Sequence, residues 1–175
     1  LVVLLGLSLC VSTVTGLFEN VISHLAIIVS FQSLILGMSG NVGTQSLAVT
    51  IRVLMDEDLS GRQKWGLIFK EARIGFCNGL MLGLLAFAFI GTYVYVLKGR
   101  PLQYAFSVSA CAGVALMLAM TISSVVGTVV PMFFHKVKVD PAVASGPLIS
   151  TVNDFVAVVT YYGLAWVLLI HVLHL

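Results

Sequence analysis

Asp154 is the only charged side chain between residues 141 and 175. It lies in an apolar stretch that opens with Asp140-Pro141, an aspartate N-cap followed by proline at the first helical position. At a helical rise of about 1.5 Å per residue, Asp154 falls roughly 20 Å along that segment. An ionised aspartate at such a depth in hydrocarbon costs several kcal/mol unless it meets water, a cation or a partner. Its helix is built to supply one. Gly146, Ser150 and Asp154 follow each other at intervals of four and form one polar line, with the Asn153 amide beside it. Gly146-Pro147 is expected to loosen the backbone and free a carbonyl, because proline has no N–H. A freed carbonyl at membrane depth is tolerated where it lines a cavity or is buried in protein. Carboxylate, carbonyl and amide oxygens are donors for hard cations, not for thiophilic metals.

A second polar cluster runs through Gly37, Ser39, Gly40, Asn41, Gly43, Thr44, Gln45 and Ser46. Gly37, Gly40 and Thr44 share a helix face, with Asn41 next to them. Small residues alone would read as a close-packing seam. Asn and Gln at one depth go beyond what a seam needs, so the cluster reads as pore lining. Gly75, Gly79 and Gly83 form a separate GxxxGxxxG seam for helix packing, and Asn78 on that helix reads as an interhelical hydrogen-bonder. Thr121, Ser123, Ser124 and Thr128 are expected to bond their own helix backbone. His24, His135, His171 and His174 lack metal-site spacing with any Cys, Asp or Glu, and Cys10, Cys77 and Cys111 read as packing residues. No catalytic constellation emerges: Asp154 is the one deep acid, where an intramembrane aspartyl protease needs two.

The surrounding chain must hold these clusters in a bilayer. Of 175 residues, 59% are hydrophobic and 9% charged, and the mean hydropathy is +1.10. That excludes a soluble domain, a disordered segment and a disulfide scaffold, and the net charge of +2 gives no reason to expect nucleic acid. Residues 1–18, 20–51, 74–97, 101–135 and 155–175 carry no charge. A span needs about 20 apolar residues, so the expected architecture is an all-α integral membrane domain over 1–175, with five transmembrane helices near 1–18, 21–53, 67–97, 102–135 and 141–173. The connection from about Arg52 to Arg73 is strongly charged and holds Glu71, and the excess length of the second and fourth runs reads as tilt or a glycine-marked break. Seven Lys/Arg fall on one side of a five-span topology and two on the other, which places the N-terminus in the cytoplasm and the C-terminus outside. An odd number of spans leaves no room for two equal halves, so a symmetric pore needs a second copy of the chain.

Two stretches resemble a known family. Gly40-Asn41-Val42-Gly43-Thr44-Gln45-Ser46 is similar to the GNxGTQ signature in the second membrane helix of MgtE-type magnesium channels. Asp140-Pro141-Ala142-Val143-Ala144-Ser145-Gly146-Pro147, with Asn153-Asp154 after it, resembles that family's DPAxxSxP…ND signature in the fifth helix. Order, spacing and five-span layout match across essentially the whole chain. The resemblance implies a homodimer in a bacterial inner membrane. Its ion path would follow the two-fold axis, walled by the second and fifth helices of each chain. It implies Mg²⁺ as the bound and transported ion, with the aspartate matching Asp154 binding it together with its symmetry mate. Ser150 and Gly146 would offer oxygens to the ion's water shell. Gly40, Asn41, Thr44, Pro147 and Asn153 are the expected pore wall. The family's cytoplasmic regulatory domains have no counterpart in this sequence and would lie upstream. The rival reading is a secondary divalent-cation transporter coupled to Na⁺ or H⁺, which would also use a midplane acid but usually shows inverted repeats.

Overall fold

The computed structural model describes residues 2–24, 26–56 and 59–172. Among them the chain is all helix and connection, with no strand. Helix α1 (Val2–Leu17) is followed by the short α2 (Glu19–His24), a 3₁₀ turn (Ala26–Ile28), and then α3 (Val29–Asp56), α4 (Gly61–Val96), α5 (Leu102–Lys136) and α6 (Pro141–Leu164). The last continues as a π-helical segment (Ala165–Val172).

Four stretches among the described residues are long and apolar enough to cross a membrane: Ala26–Met55, Gly61–Val96, Leu102–Lys136 and Leu148–Leu169. The first expected span behaves differently. α1 has 16 residues, about 24 Å of helix against a hydrocarbon core of about 30 Å, and its apolar part is Leu5–Leu17. The second expected helix is also interrupted, but not at its glycines. α3 runs unbroken through Gly37, Gly40 and Gly43, and the irregularity sits ahead of Val29. There the Ile28 carbonyl accepts a hydrogen bond from the Tyr161 hydroxyl at 2.9 Å. α4 starts six residues before the expected 67, because Ser60 and Gln63 form a capping box: the Gln63 N–H donates to Ser60 Oγ and the Ser60 N–H to Gln63 Oε1.

α5 is the hub. Ala105, Val108, Ala112, Ala115, Leu116, Ala119 and Met120 are fully buried in it, and α3, α4 and α6 all pack on it. α4 crosses it antiparallel on the predicted glycine seam. A Cβ at Gly75, Gly79 or Gly83 would lie 2.6 Å from Ser124 Cβ, 2.8 Å from Met117 Cα and 2.7 Å from the Gly113 carbonyl oxygen, respectively. α3 meets α5 where the Gly43 carbonyl contacts Gly127. Pro131, one turn on, leaves the Gly127 carbonyl without its helical N–H. The tight α4–α5 link uses Gly99 at φ +60°, a left-handed turn residue followed by Pro101. The other face of α4 is lined with exposed Phe76, Leu80, Met81, Leu84 and Phe89, the pattern of a surface that meets lipid or another chain.

Candidate functional site

α3 and α6 run antiparallel and bring the two polar clusters together. Leu36, Gly37, Gly40, Asn41 and Thr44 of α3 and Ser150 and Asp154 of α6 line one groove of about 300 Å³. Taking about 30 Å³ per water, that space holds on the order of ten waters, enough for a divalent ion with its six-water shell. Asn41 falls at the centre of the Ala26–Met55 stretch, so the groove opens at membrane depth. Gly37 and Gly40 leave bare backbone here, and a Cβ on either would meet nothing within 4 Å. The Thr44 hydroxyl bonds back to the Gly40 and Asn41 carbonyls at 3.0 and 2.9 Å. Ser150 Oγ does the same to the Gly146 carbonyl at 3.3 Å, which joins Gly146 to Ser150 along the expected line. Asp154 is half-buried in the groove wall and makes no hydrogen bond or ion pair among the described residues. Nor do the described residues hold a cluster of three or more His, Cys, Asp and Glu able to chelate a metal within one chain. The groove therefore offers one carboxylate and several oxygens along an open face.

One expected wall residue, Asn153, stands elsewhere and does not line the groove. It is fully buried, and its amide packs against Gly43, so close that a Cβ on Gly43 would meet it. The reason is angular: adjacent helical residues point about 100° apart, so turning Asp154 into the groove turns Asn153 toward α3. Neither its Nδ2 nor its Oδ1 has a hydrogen-bond partner among the described residues. The Pro147 side chain lies outside the described residues, as do Glu57 and Asp58 of the acidic connection. The helix containing Pro147 is continuous, not opened at Gly146-Pro147.

Glu71 is the residue the sequence reading misplaced. It lies ten residues inside α4, about 15 Å from the helix start, and is 3% exposed. A second carboxyl group is thus buried within the bundle, where the sequence suggested only Asp154. Ser46 Oγ of α3 donates to Glu71 Oε2 at 2.9 Å and lies 2.8 Å from Ser124 Oγ of α5. Ser124 Oγ donates to the Glu71 carbonyl at 2.6 Å. The signal was present: Glu71, Gly75, Gly79 and Gly83 recur every four residues, so Glu71 belongs to the buried seam. Of the Ser/Thr tract, Thr121 and Thr128 do bond their own helix, to Met117 and Ser124 carbonyls. Ser124 reaches across helices instead, and Ser123 has no partner among the described residues. At the other end of the groove helices, Tyr162 donates to Gln32 Oε1 at 2.7 Å, a second α3–α6 tie that the sequence did not reveal.

A helical bundle with membrane-length apolar stretches and an oxygen-lined groove at mid-depth is an integral membrane protein with a polar path beside its core. The chain belongs to the MgtE family: the family described as divalent cation transporter matches residues 32–164, α3 through α6. It is 35% identical over 165 residues to a magnesium transporter MgtE of Bacillus subtilis, covering 94% of this chain and 35% of that protein. Identity is 34% over 165 residues with a magnesium transporter MgtE of Enterococcus faecalis, covering 94% of this chain and 34% of that one. With the magnesium transporter MgtE of Thermus thermophilus it is 31% over 170 residues, covering 97% and 35%. The chain thus spans about a third of the length of these relatives.

Proposed function

We propose that this chain is the membrane domain of a magnesium channel. It would work as a homodimer in the bacterial inner membrane, with hydrated Mg²⁺ passing along the two-fold axis between the α3/α6 grooves of two copies. The observation that carries the reading is the convergence of both polar motifs on one groove with Asp154 unpaired in its wall. In this reading α1 is the first of five spans, the N-terminus is cytoplasmic and the C-terminus outside, as the distribution of Lys/Arg favours.

Mg²⁺ dehydrates reluctantly and prefers octahedral oxygen coordination. A pore that stripped its waters would have to replace six strong ligands, and one chain's groove has a single carboxylate. Contact through the water shell removes that burden. Asp154 from two chains supplies two negative charges, which balance one divalent ion. Ser150, Asn41 and the backbone at Gly37, Gly40 and Gly146 present oxygens to the bound waters. Outer-shell contact also keeps the ion mobile, since conduction requires binding that favours entry and still permits exit.

The test is Mg²⁺ flux into liposomes carrying the purified protein, wild type against Asp154→Ala, with oligomeric state measured on the same samples. Near-complete loss of flux with the dimer intact is expected. Full flux in the variant refutes the role of Asp154. Loss of the dimer would make the aspartate a structural tie. Flux that needs a sodium or proton gradient would make the protein a coupled carrier.

A further inference from the structure

We propose that the outer face of α4 near its N-terminal end is a binding site for the headgroup of an anionic phospholipid. A hollow of about 620 Å³ on this face is lined by Gly66, Phe69, Lys70, Arg73, Ile74 and Cys77, with Asn78 at its deep end. It points away from the bundle, because the opposite side of the same helix buries Leu67, Glu71, Gly75 and Gly79. Lys70 and Arg73 are exposed, and neither has an acidic partner among the described residues.

Their height follows from the sequence. The uncharged run from Ile74 to Leu97 is 24 residues, about 36 Å of helix, against a hydrocarbon core of about 30 Å. That run fills the core, so Arg73 and Lys70 stand at the headgroup level of one leaflet. Trp65 and Phe69, both exposed with ring centroids 6.3 Å apart, mark the same boundary. Below them the chemistry changes in the order of a phospholipid. Asn78 lies five residues deeper than Arg73, about 7.5 Å. Its amide has no hydrogen-bond partner among the described residues, although an unsatisfied polar group at that depth is costly. Deeper still, Leu80, Met81 and Leu84 are exposed and apolar. The sequence suggested that Asn78 bonds a neighbouring helix; the structure turns it into this hollow instead.

A phosphodiester whose negative charge no headgroup cation offsets meets the two cations, the glycerol ester carbonyl accepts from the Asn78 amide, and the acyl chain covers the leucines. Inorganic phosphate would satisfy only the first of these. A two-fold contact of this face with itself would bring two pairs of unpaired cations together, which disfavours a second copy as occupant. The site matters to the groove because α4 also carries Glu71, whose carboxyl group accepts the Ser46 hydrogen bond on α3. The proposal requires only that the chain sits in a bilayer. Its binding readout therefore stands or falls separately from magnesium flux.

The experiment is native mass spectrometry of the full chain in detergent, titrated with phosphatidylglycerol or phosphatidylcholine. Wild type is expected to retain one more phosphatidylglycerol per chain than phosphatidylcholine. Lys70→Gln/Arg73→Gln should weaken that retention about tenfold, and Asn78→Leu should weaken both lipids. Arg62→Gln/Lys64→Gln removes the same charge outside the hollow and should change little. Circular dichroism melts establish that the variants are folded. Equal retention of the two lipids by wild type overturns the proposal, as does an equal effect of the two double variants or an Asn78→Leu without effect. Loss of oligomer in Lys70→Gln/Arg73→Gln with lipid retention unchanged would assign the face to a partner chain and also overturn it.

Discussion

Gly43 and Asn153 join the two walls of the groove, and exchanging their sizes tests whether that contact sets its geometry. A Cβ at Gly43 would stand 2.8 Å from Asn153 Cγ and 3.0 Å from its Oδ1. Asn153 is fully buried, so its amide has no open space to swing into. Overpacking of this kind costs about 1–3 kcal/mol, and alanine returns about 1 kcal/mol of helix propensity over glycine. Gly43→Ala should therefore destabilise by about 0–2 kcal/mol. Asn153→Ala removes an amide whose two polar atoms lack partners, a relief of about 1–3 kcal/mol. It also opens a cavity of roughly 40 Å³, worth about 1 kcal/mol, and gives up packing contacts. The two nearly cancel. In the double variant the methyl group introduced at position 43 occupies the vacated space, so the overpacking disappears and the propensity gain remains. The coupling energy should be about 1–3 kcal/mol, roughly five- to 150-fold in the unfolding equilibrium. Thermal and denaturant unfolding in detergent micelles measures it, and Mg²⁺ flux in liposomes should fall in Gly43→Ala and recover in the pair. Single effects that add within about 0.5 kcal/mol, with flux indifferent to the pairing, would refute the contact as a determinant of the groove.

Gly40→Leu should abolish flux and leave the melting temperature within a few degrees of wild type, since a side chain there enters open space; a large loss of stability would show that Gly40 is a packing residue. Glu71→Ala should destabilise by about 1–3 kcal/mol, because it strips the Ser46–Ser124 network of its carboxyl group. Glu71→Gln, which keeps an acceptor for Ser46, should lose less, and an equal loss in both variants would deny the hydrogen bond its role. Lys138 follows the end of α5 at φ +59°, a left-handed conformation that favours glycine. Lys138→Gly should raise stability by about 1 kcal/mol in a thermal melt, and an unchanged or lower midpoint would contradict the strain.

The pairing of the Gly40–Thr44 stretch with Ser150 and Asp154 was implied only by the family resemblance; four long apolar helices, the glycine seam of α4 and the Asp140-Pro141 helix start were legible in the sequence itself. Each depends on local properties: hydropathy over a span's length, charge at its ends, and spacing by three or four along one helix. α1 is a partial exception. Its composition is apolar enough, but the turn at Phe18 cuts the described helix to 16 residues.

Tertiary packing decided the rest. Periodicity states which residues share a face of a helix, but not which neighbour that face meets. Asn153 and Asp154 are equally polar neighbours, and only the docking of α6 on Gly43 sends one into the core and the other into the groove. Glu71 counted as one of the charges of the connection, and only the structure shows it buried, with Ser46 of α3 bonded to its carboxyl group and Ser124 of α5 to its backbone carbonyl. Charge and hydropathy were enough to put the chain in a membrane. Where each buried polar group finds its hydrogen bond depends on three-dimensional partners that lie far away along the chain.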